Sequence, residues 1–306
     1  MSSADRDPLT LTPVLGAGSG DSSERGGFPE NPLDVVPPAR IARLVETVGI
    51  KKARLALVPL FTLGILAGAF IGFGGMLYIV TVTDSALGLG ITRLIGGFAF
   101  SVGLVMVILG GAELFTGNNL LVIAWAESAI STTALLRQWG IVYLGNLSGA
   151  LGLVALAHLS GVFDSAYGET AKSIAEGKAT LPWGEALVRG ILCNILVCLA
   201  IWMCFAAHAA AGKVVLIAMP VAAFVALGFE HSVANMFLMP LGALQPEAAI
   251  GLGDILANLA AVTVGNVIGG GLLVGLVYWL VYLSDASPAP SMAASETDTT
   301  AERRTT

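Results

Sequence analysis

Charged residues are scarce in this chain of 306 residues: Lys, Arg, Asp and Glu make up 12% of it, whereas apolar residues make up 56%. The mean hydropathy of +0.83 lies far outside the range of soluble globular domains. The sequence also lacks a basic patch interleaved with aromatic residues, so no nucleic-acid partner is expected. The composition predicts a protein that crosses a lipid bilayer several times.

Cysteine and histidine are equally sparse, with three residues of each type. Cys193, Cys198 and Cys204 lie in one apolar stretch at spacings that fit neither a zinc site nor a disulfide framework, so we expect them to pack in a helix. Glu230 and His231 are adjacent, but the HExxH spacing is absent and no second histidine is near. The sequence therefore predicts no metal, no cofactor and no enzymatic site.

The two ends of the chain have little apolar character. Residues 1–36 are polar and rich in Gly, Pro and Ser, which predicts a disordered tail and no cleavable signal peptide. Residues 285–306 have a similar composition and are predicted to form a second disordered tail. Residues 37–284 are left as the membrane domain.

Six apolar stretches are long enough for a helix of about 20 residues to cross a bilayer. They cover residues 54–82, 91–127, 134–161, 184–211, 213–246 and 254–284. The second and fifth are too long for simple spans, so each is interpreted as two half-helices joined by a non-helical segment. Such backbone is tolerated at membrane depth only where protein buries it or where it lines a cavity.

A polar motif occurs twice, once in each of these long stretches. The matched residues are Gly111, Glu113 and Asn118 in the first copy and Gly228, Glu230 and Asn235 in the second, each pair 117 positions apart. Three spans per half is an odd number, so the second half must cross in the opposite sense. The sequence predicts an all-α membrane protein with six transmembrane helices in two inverted three-helix repeats and broken second and fifth helices.

The repeated Glu113, Asn118, Glu230 and Asn235 are interpreted as supports of the two helix breaks. Backbone groups released by a break need partners, and carboxylates and amides supply them. His231 has no counterpart in the first copy. Its imidazole suits a switch or a proton relay, because an unperturbed histidine titrates near neutrality.

Lysine and arginine near the ends of the spans predict the orientation. Seven lie on the side of the N-terminus, namely Arg40, Arg43, Lys51, Lys52, Arg54, Arg137 and Lys213. Four lie on the other side, namely Arg93, Lys172, Lys178 and Arg189. Both termini are therefore expected in the cytoplasm, with the protein in the plasma (inner) membrane.

Three segments carry a resemblance to a known family: GGAELFTGN, GILCNILVCLAIW and GFEHSVANMF. They closely resemble the formate/nitrite transporter family, and the resemblance covers roughly residues 33–283. It implies an aquaporin-like protomer with one pore, assembled as a homopentamer that carries small monovalent anions, most closely of the formate type. Nitrite and hydrosulfide remain open as substrates.

The resemblance also implies roles for individual residues. Thr116 and His231 resemble the polar pair at the pore centre, and Asn194 resembles the pore asparagine. Lys178 resembles a vestibule lysine that attracts anions. The positions of the apolar constrictions are occupied by Phe100, Leu104, Leu114, Phe115 and Phe224.

A mechanism follows from these roles. In water, an imidazolium would give its proton to a formate-like acid only at a cost of roughly 3.4 kcal/mol, but desolvation between apolar gates favours the neutral pair. The hypothesis is that an anion is neutralised near His231 and crosses together with a proton, oriented by Thr116 and Asn194.

An aquaporin-type channel for neutral solutes is the alternative, but paired Asn-Pro-Ala motifs are absent. A membrane-embedded enzyme is disfavoured by the missing HExxH spacing.

Overall fold

The computed structural model describes residues 35–284, and every regular element in that range is helical. The predicted tails lie outside the described residues, apart from Val35 and Val36. The elements in chain order are α1 (Pro38–Ala53), α2 (Leu57–Val82), α3 (Leu89–Gly110), a 3₁₀ helix (Gly117–Leu121), α4 (Val122–Ala126), α5 (Thr132–Leu159), α6 (Ala166–Ala179), α7 (Trp183–Ala206), α8 (Ala210–Ala226), α9 (Ser232–Ala243), α10 (Leu252–Asn266), a π-helix (Val267–Leu276) and α11 (Val277–Tyr282).

Within residues 35–284, five helical segments are long and apolar enough to cross a membrane, judged by length and composition. They are α2, α3, α5, α7 and the continuous helix Leu252–Tyr282. The fifth apolar stretch, which the sequence indicates is two half-helices, is divided between α8 and α9, which are shorter apolar helices. The prediction of an all-helical membrane protein is confirmed, while six crossings stay a prediction.

Both predicted helix breaks are present, and they have the same local geometry. Gly111 follows α3 with φ +73° and Gly228 follows α8 with φ +70°, a left-handed conformation that glycine adopts without steric cost. The next N–H in each copy reaches back five residues, from Ala112 to Val107 at 2.9 Å and from Phe229 to Phe224 at 3.0 Å. Each of the two helices thus ends in a Schellman-type cap, and the residues that follow, 112–114 and 229–231, have no regular secondary structure.

Glycines allow the long helices to approach each other closely at the crossing of α2 and α5. A Cβ atom on Gly68 would overlap the carbonyl oxygen of Asn146 on α5. The equivalent crossing of the second half pairs α7 with α10. Close backbone contact replaces the hydrophobic effect, which is weak between helices in lipid.

Two short helices lie beside the second half-helices. α1 contacts the 3₁₀ helix and α4, which follow the first break, and α6 contacts α9, which follows the second. Residues 166–179 lie between two of the predicted spans, and no helix was predicted there. Lys52 near the end of α1 and Lys178 near the end of α6 are 126 positions apart, the same separation as Gly64 and Gly190 on α2 and α7.

Candidate functional site

One asparagine clamps the first break from the side. Asn146 on α5 donates its amide to the carbonyl oxygens of Gly64 and Glu113, at 2.8 and 2.9 Å, and its Oδ1 accepts the N–H of Phe115 at 2.9 Å. Both donors and the oxygen of the Asn146 side-chain amide therefore form hydrogen bonds with backbone groups. Asn146 ties the segment after the break to α2.

Asn266 on α10 repeats the arrangement in the second half. Its amide donates to the carbonyl oxygens of Gly190 and Glu230, at 2.8 and 3.1 Å, and its Oδ1 accepts the N–H of Ser232 at 2.9 Å. This role was not predicted from the sequence for either asparagine. The available signal was the Gly-Asn pair itself, which occurs at 145–146 in the third apolar stretch and again at 265–266 in the sixth.

Glu113 accepts three side-chain donors at the first break. They are Lys52 at 3.1 Å, Asn118 at 2.7 Å and, more loosely, Gln138 at 3.4 Å. Its own side chain is 6% exposed, and that of Lys52 is 28% exposed. The sequence predicts Glu113 and Asn118 as supports of the backbone at the break, whereas in the structure the Glu113 carboxylate is bound by the side chains of Asn118 and Lys52.

Glu230 has the matching environment at the second break. Both of its oxygens accept from Lys178, at 2.9 and 3.0 Å, and one accepts from Asn235 at 2.7 Å. The two side chains of this ion pair are 15% and 5% exposed, so it is the more buried of the two pairs. The charge of Lys178 is therefore neutralised at short range, and its predicted attraction of anions stays a prediction.

The two breaks meet at Thr116 and His231. The hydroxyl of Thr116 and Nε2 of His231 are 2.9 Å apart, and both side chains are buried. His231 is also the N-cap of α9, where Nδ1 accepts the N–H of Ala234 at 3.1 Å. Because a backbone N–H can only donate, Nδ1 carries no proton in this arrangement, which places the proton of the neutral ring on Nε2. The ring then donates to Thr116.

Asn194 lies directly behind this pair. Its amide donates to the carbonyl oxygens of Thr116 at 3.2 Å and Asn266 at 2.7 Å, and Cys198 donates to the same Thr116 oxygen at 3.4 Å. Asn194 lines neither of the two cavities described below. In this structure it therefore positions Thr116, and only its Oδ1, which has no partner among the described residues, is left for another ligand.

Two cavities approach the polar centre. The first, of about 270 Å³, lies under α1 and includes Glu113, Gly117 and Lys213 in its wall. The second, of about 330 Å³, lies beside α6 and includes Arg93, Phe224 and His231. Gly117 adjoins Thr116 along the chain, so the contact between Thr116 and His231 lies between the two cavities.

The predicted apolar constriction residues are all buried but are not all in one place. Phe100 and Phe224 pack edge to face with ring centres 5.9 Å apart, and Phe224 stacks on His231 at 6.0 Å. Phe115 instead packs against Tyr143 and Trp139 of α5. Leu104 and Leu114 line neither cavity. The aromatic pair therefore lies on the side of the second cavity, and a gating role for Leu104, Leu114 and Phe115 stays a prediction.

Within residues 35–284, no group of three His, Cys, Asp or Glu residues lies close enough to hold a metal ion. The polar centre consists instead of one imidazole, one hydroxyl and backbone groups, enclosed by apolar rings. Such a centre, formed where two helix breaks meet between two cavities, is typical of a membrane protein that passes small solutes.

Comparison with known proteins gives the family. The chain belongs to the formate/nitrite transporter family, whose profile matches residues 39–280. It is 40% identical to the formate channel FocA of Escherichia coli K12 over 278 residues, covering 84% of this chain and 98% of that protein. It is 35% identical to a probable formate transporter of Methanothermobacter thermautotrophicus, covering 81% and 97%.

Solved structures agree with this assignment. The fold matches a pentameric formate channel with formate bound at a TM-score of 0.70, with 39% identity and coverage of 74% of this chain and 98% of that one. It matches an ion channel of the same family at a TM-score of 0.72, with 33% identity and coverage of 79% and 98%. The resemblance inferred from the three sequence motifs is confirmed.

Proposed function

We propose that this protein carries small monovalent anions of weak acids across the membrane, with formate as the principal substrate. The observation that carries the proposal is the buried contact between Thr116 and His231, enclosed by Phe100 and Phe224 and flanked by two cavities. The similarity to formate channels over most of the chain supports the choice of formate. Nitrite and hydrosulfide, which are also small weak-acid anions, are the substrates to test beside it.

The apolar rings explain why a proton should accompany the anion. A carboxylate loses its hydration between Phe100 and Phe224, and an isolated charge in such surroundings is strongly disfavoured. The neutral acid meets a much smaller penalty and can still accept a hydrogen bond. Nε2–H of His231 and the Thr116 hydroxyl are the donors available at the centre.

The N-cap bond of His231 limits how the ring can take part. If Nε2 gave up its proton, Nδ1 would have to gain one, and the bond from Ala234 would be lost. The positive end of α9 also opposes a cationic ring. We therefore propose that His231 first orients the anion as a hydrogen-bond donor, and that a proton transfer from the ring requires the cap to open.

Assembly and placement complete the proposal. The matched formate channel is a pentamer, and this chain exposes large apolar side chains along its long helices, as expected for surfaces that face lipid or other subunits. We propose a homopentamer in the plasma (inner) membrane. The excess of Lys and Arg on the side of α1 supports cytoplasmic termini, with the first cavity on the cytoplasmic side.

Purified protein in liposomes tests the proposal. Initial fluxes of formate, nitrite, hydrosulfide and lactate are measured across a set pH difference, with internal pH followed by a dye. We expect formate to move with a proton and its rate to rise as the pH on the supply side falls. Liposomes that pass none of these anions faster than protein-free liposomes would refute the proposal.

Two substitutions of the same residue separate chemistry from folding. His231→Phe removes both hydrogen bonds of the ring, whereas His231→Asn can keep the N-cap bond, because asparagine is a good N-cap residue. We expect both to lose proton-coupled formate flux and only the first to lose stability. His158→Phe is the matched control, since His158 is exposed at the end of α5; unchanged coupling in His231→Asn would exclude the role of the ring.

A further inference from the structure

The charged groups of the second cavity are mostly neutralised in pairs. Lys178 is bound by Glu230, and the Arg189 guanidinium is 3.0 Å from Glu185. Arg93 lines the same cavity and is exposed, yet it has no acidic partner within ion-pair distance in the described part of the chain. An approaching anion therefore meets one cation whose charge is not compensated.

Arg93 lies close to the second helix break. One of its guanidinium nitrogens is 3.6 Å from the point where a Cβ atom on Gly228 would lie. Gly228 is followed within three residues by Glu230 and His231. The free cation is thus at the start of the path to the polar centre, in the cavity that Phe100 and Phe224 close.

The first cavity has the same balance of charge. Lys52 is bound by Glu113, whereas Lys213, which lines this cavity, has no acidic partner among residues 35–284. Lys213 is not the repeat partner of Arg93, because a shift of 117 positions leads from Arg93 to Ala210, about one turn earlier on α8. The two halves thus have similar uncompensated charges at different positions.

We propose that Arg93 and Lys213 are the residues that concentrate anions in the two cavities, whereas Lys178 and Lys52 act as supports of the helix breaks. The inference rests on the proposed function and assigns its electrostatic attraction to specific side chains. A charge in a cavity with apolar walls raises the local concentration of counter-charged solute, and salt screens the effect. It changes rates of uptake from each face but not the final distribution of the anion.

The test compares uptake of formate from opposite faces, using right-side-out and inside-out membrane vesicles from cells that produce the full-length protein. We expect Arg93→Gln to raise the apparent KM about three- to tenfold for uptake from the face that carries Arg93, and less than twofold from the other face. Lys213→Gln should show the reverse pattern. Both effects should shrink when the ionic strength is raised from about 0.01 M to about 0.3 M, and Arg93→Lys should restore the wild-type KM.

The control removes a neutralised pair, of which Arg189 lines the same cavity. The double variant Glu185→Gln/Arg189→Gln takes away one charge of each sign, so its KM should change less than twofold. The inference is overturned if Arg93→Gln leaves KM unchanged, if its effect does not depend on salt, or if the double variant has an equal effect. Wild-type vesicles that do not take up formate would instead refute the proposed function, so the two failures are distinguishable.

Discussion

The ion pair between Lys178 and Glu230 gives the sharpest test of the architecture. Lys178→Met removes the cation and leaves the Glu230 carboxylate, 5% exposed, with Asn235 as its remaining side-chain donor. Breaking a buried pair from one side typically costs about 3–5 kcal/mol, because an uncompensated charge is left behind. For a protein of this size, 1 kcal/mol corresponds to a shift in Tm of about 2–4 °C, so we expect a loss of about 6–20 °C.

The same reasoning predicts a partial rescue. In the double variant Lys178→Met/Glu230→Gln no charge is stranded, and Asn235 still has an amide oxygen to which it can donate. The double variant should therefore melt at a higher temperature than Lys178→Met alone. Lys52→Met should cost less than Lys178→Met, because Lys52 is 28% exposed and makes one contact with Glu113 where Lys178 makes two with Glu230.

Thermal unfolding of the purified protein in detergent, followed by tryptophan fluorescence, measures these differences. Lys172→Met is the matched control: it is the same substitution on the same helix, and its partner Glu169 is 66% exposed, so we expect a much smaller fall in Tm than for Lys178→Met. The reasoning is refuted if Lys178→Met melts like Lys172→Met. It is equally refuted if the double variant loses the sum of the two single losses.

Two further predictions concern the backbone around the breaks. Asn266→Ala removes three hydrogen bonds, to the backbone of Gly190, Glu230 and Ser232. We expect it to lower the free energy of unfolding by about 2–4 kcal/mol in the same melting assay. A Tm within about 2 °C of wild type would show that the clamp contributes little. Gly68→Ala should prevent stable folding, because its Cβ atom would overlap the backbone of α5. Gly152→Ala should fold normally, because the space around Gly152 is open. Equal yields of the two variants after gel filtration would contradict this packing.

The helix breaks could be predicted from the sequence because the residues that mark each break lie close together along the chain. A glycine with a left-handed conformation, an acid two residues later and an asparagine five residues after the acid recur within one short segment of each half. Repetition at a single separation distinguishes this pattern from chance. The all-helical class could be inferred from the long apolar stretches and the family from three short motifs, which are local signals as well.

The partners of those segments could not be predicted, because they come from distant parts of the chain. Lys52 reaches Glu113 across 61 positions, and Asn146 reaches Gly64 across 82. Spacing along a sequence does not show which helices cross, so these contacts appear only in the folded protein. The available hints were the repeated Gly-Asn pairs at 145–146 and 265–266 and the separation of 126 positions between Lys52 and Lys178.

The roles of Asn194 and Lys178 show a related limit. A polar residue in an apolar span can face either the pore or a neighbouring backbone, and the pattern is the same in both cases. In the structure the Asn194 amide donates to the carbonyl oxygens of Thr116 and Asn266, and Lys178 forms an ion pair with Glu230. Burial and pairing, which depend on the tertiary fold, decide which charges remain available to a solute.

The asparagine clamps hold only main-chain atoms, and this has a consequence for how such a protein can evolve. Asn146 accepts from the N–H of residue 115 and Asn266 from the N–H of residue 232, so the clamps place no demand on the side chains there. A phenylalanine in one half and a serine in the other can therefore occupy equivalent positions while the backbone is held in the same way. The clamps themselves therefore do not restrict which side chain point mutation places at these two positions.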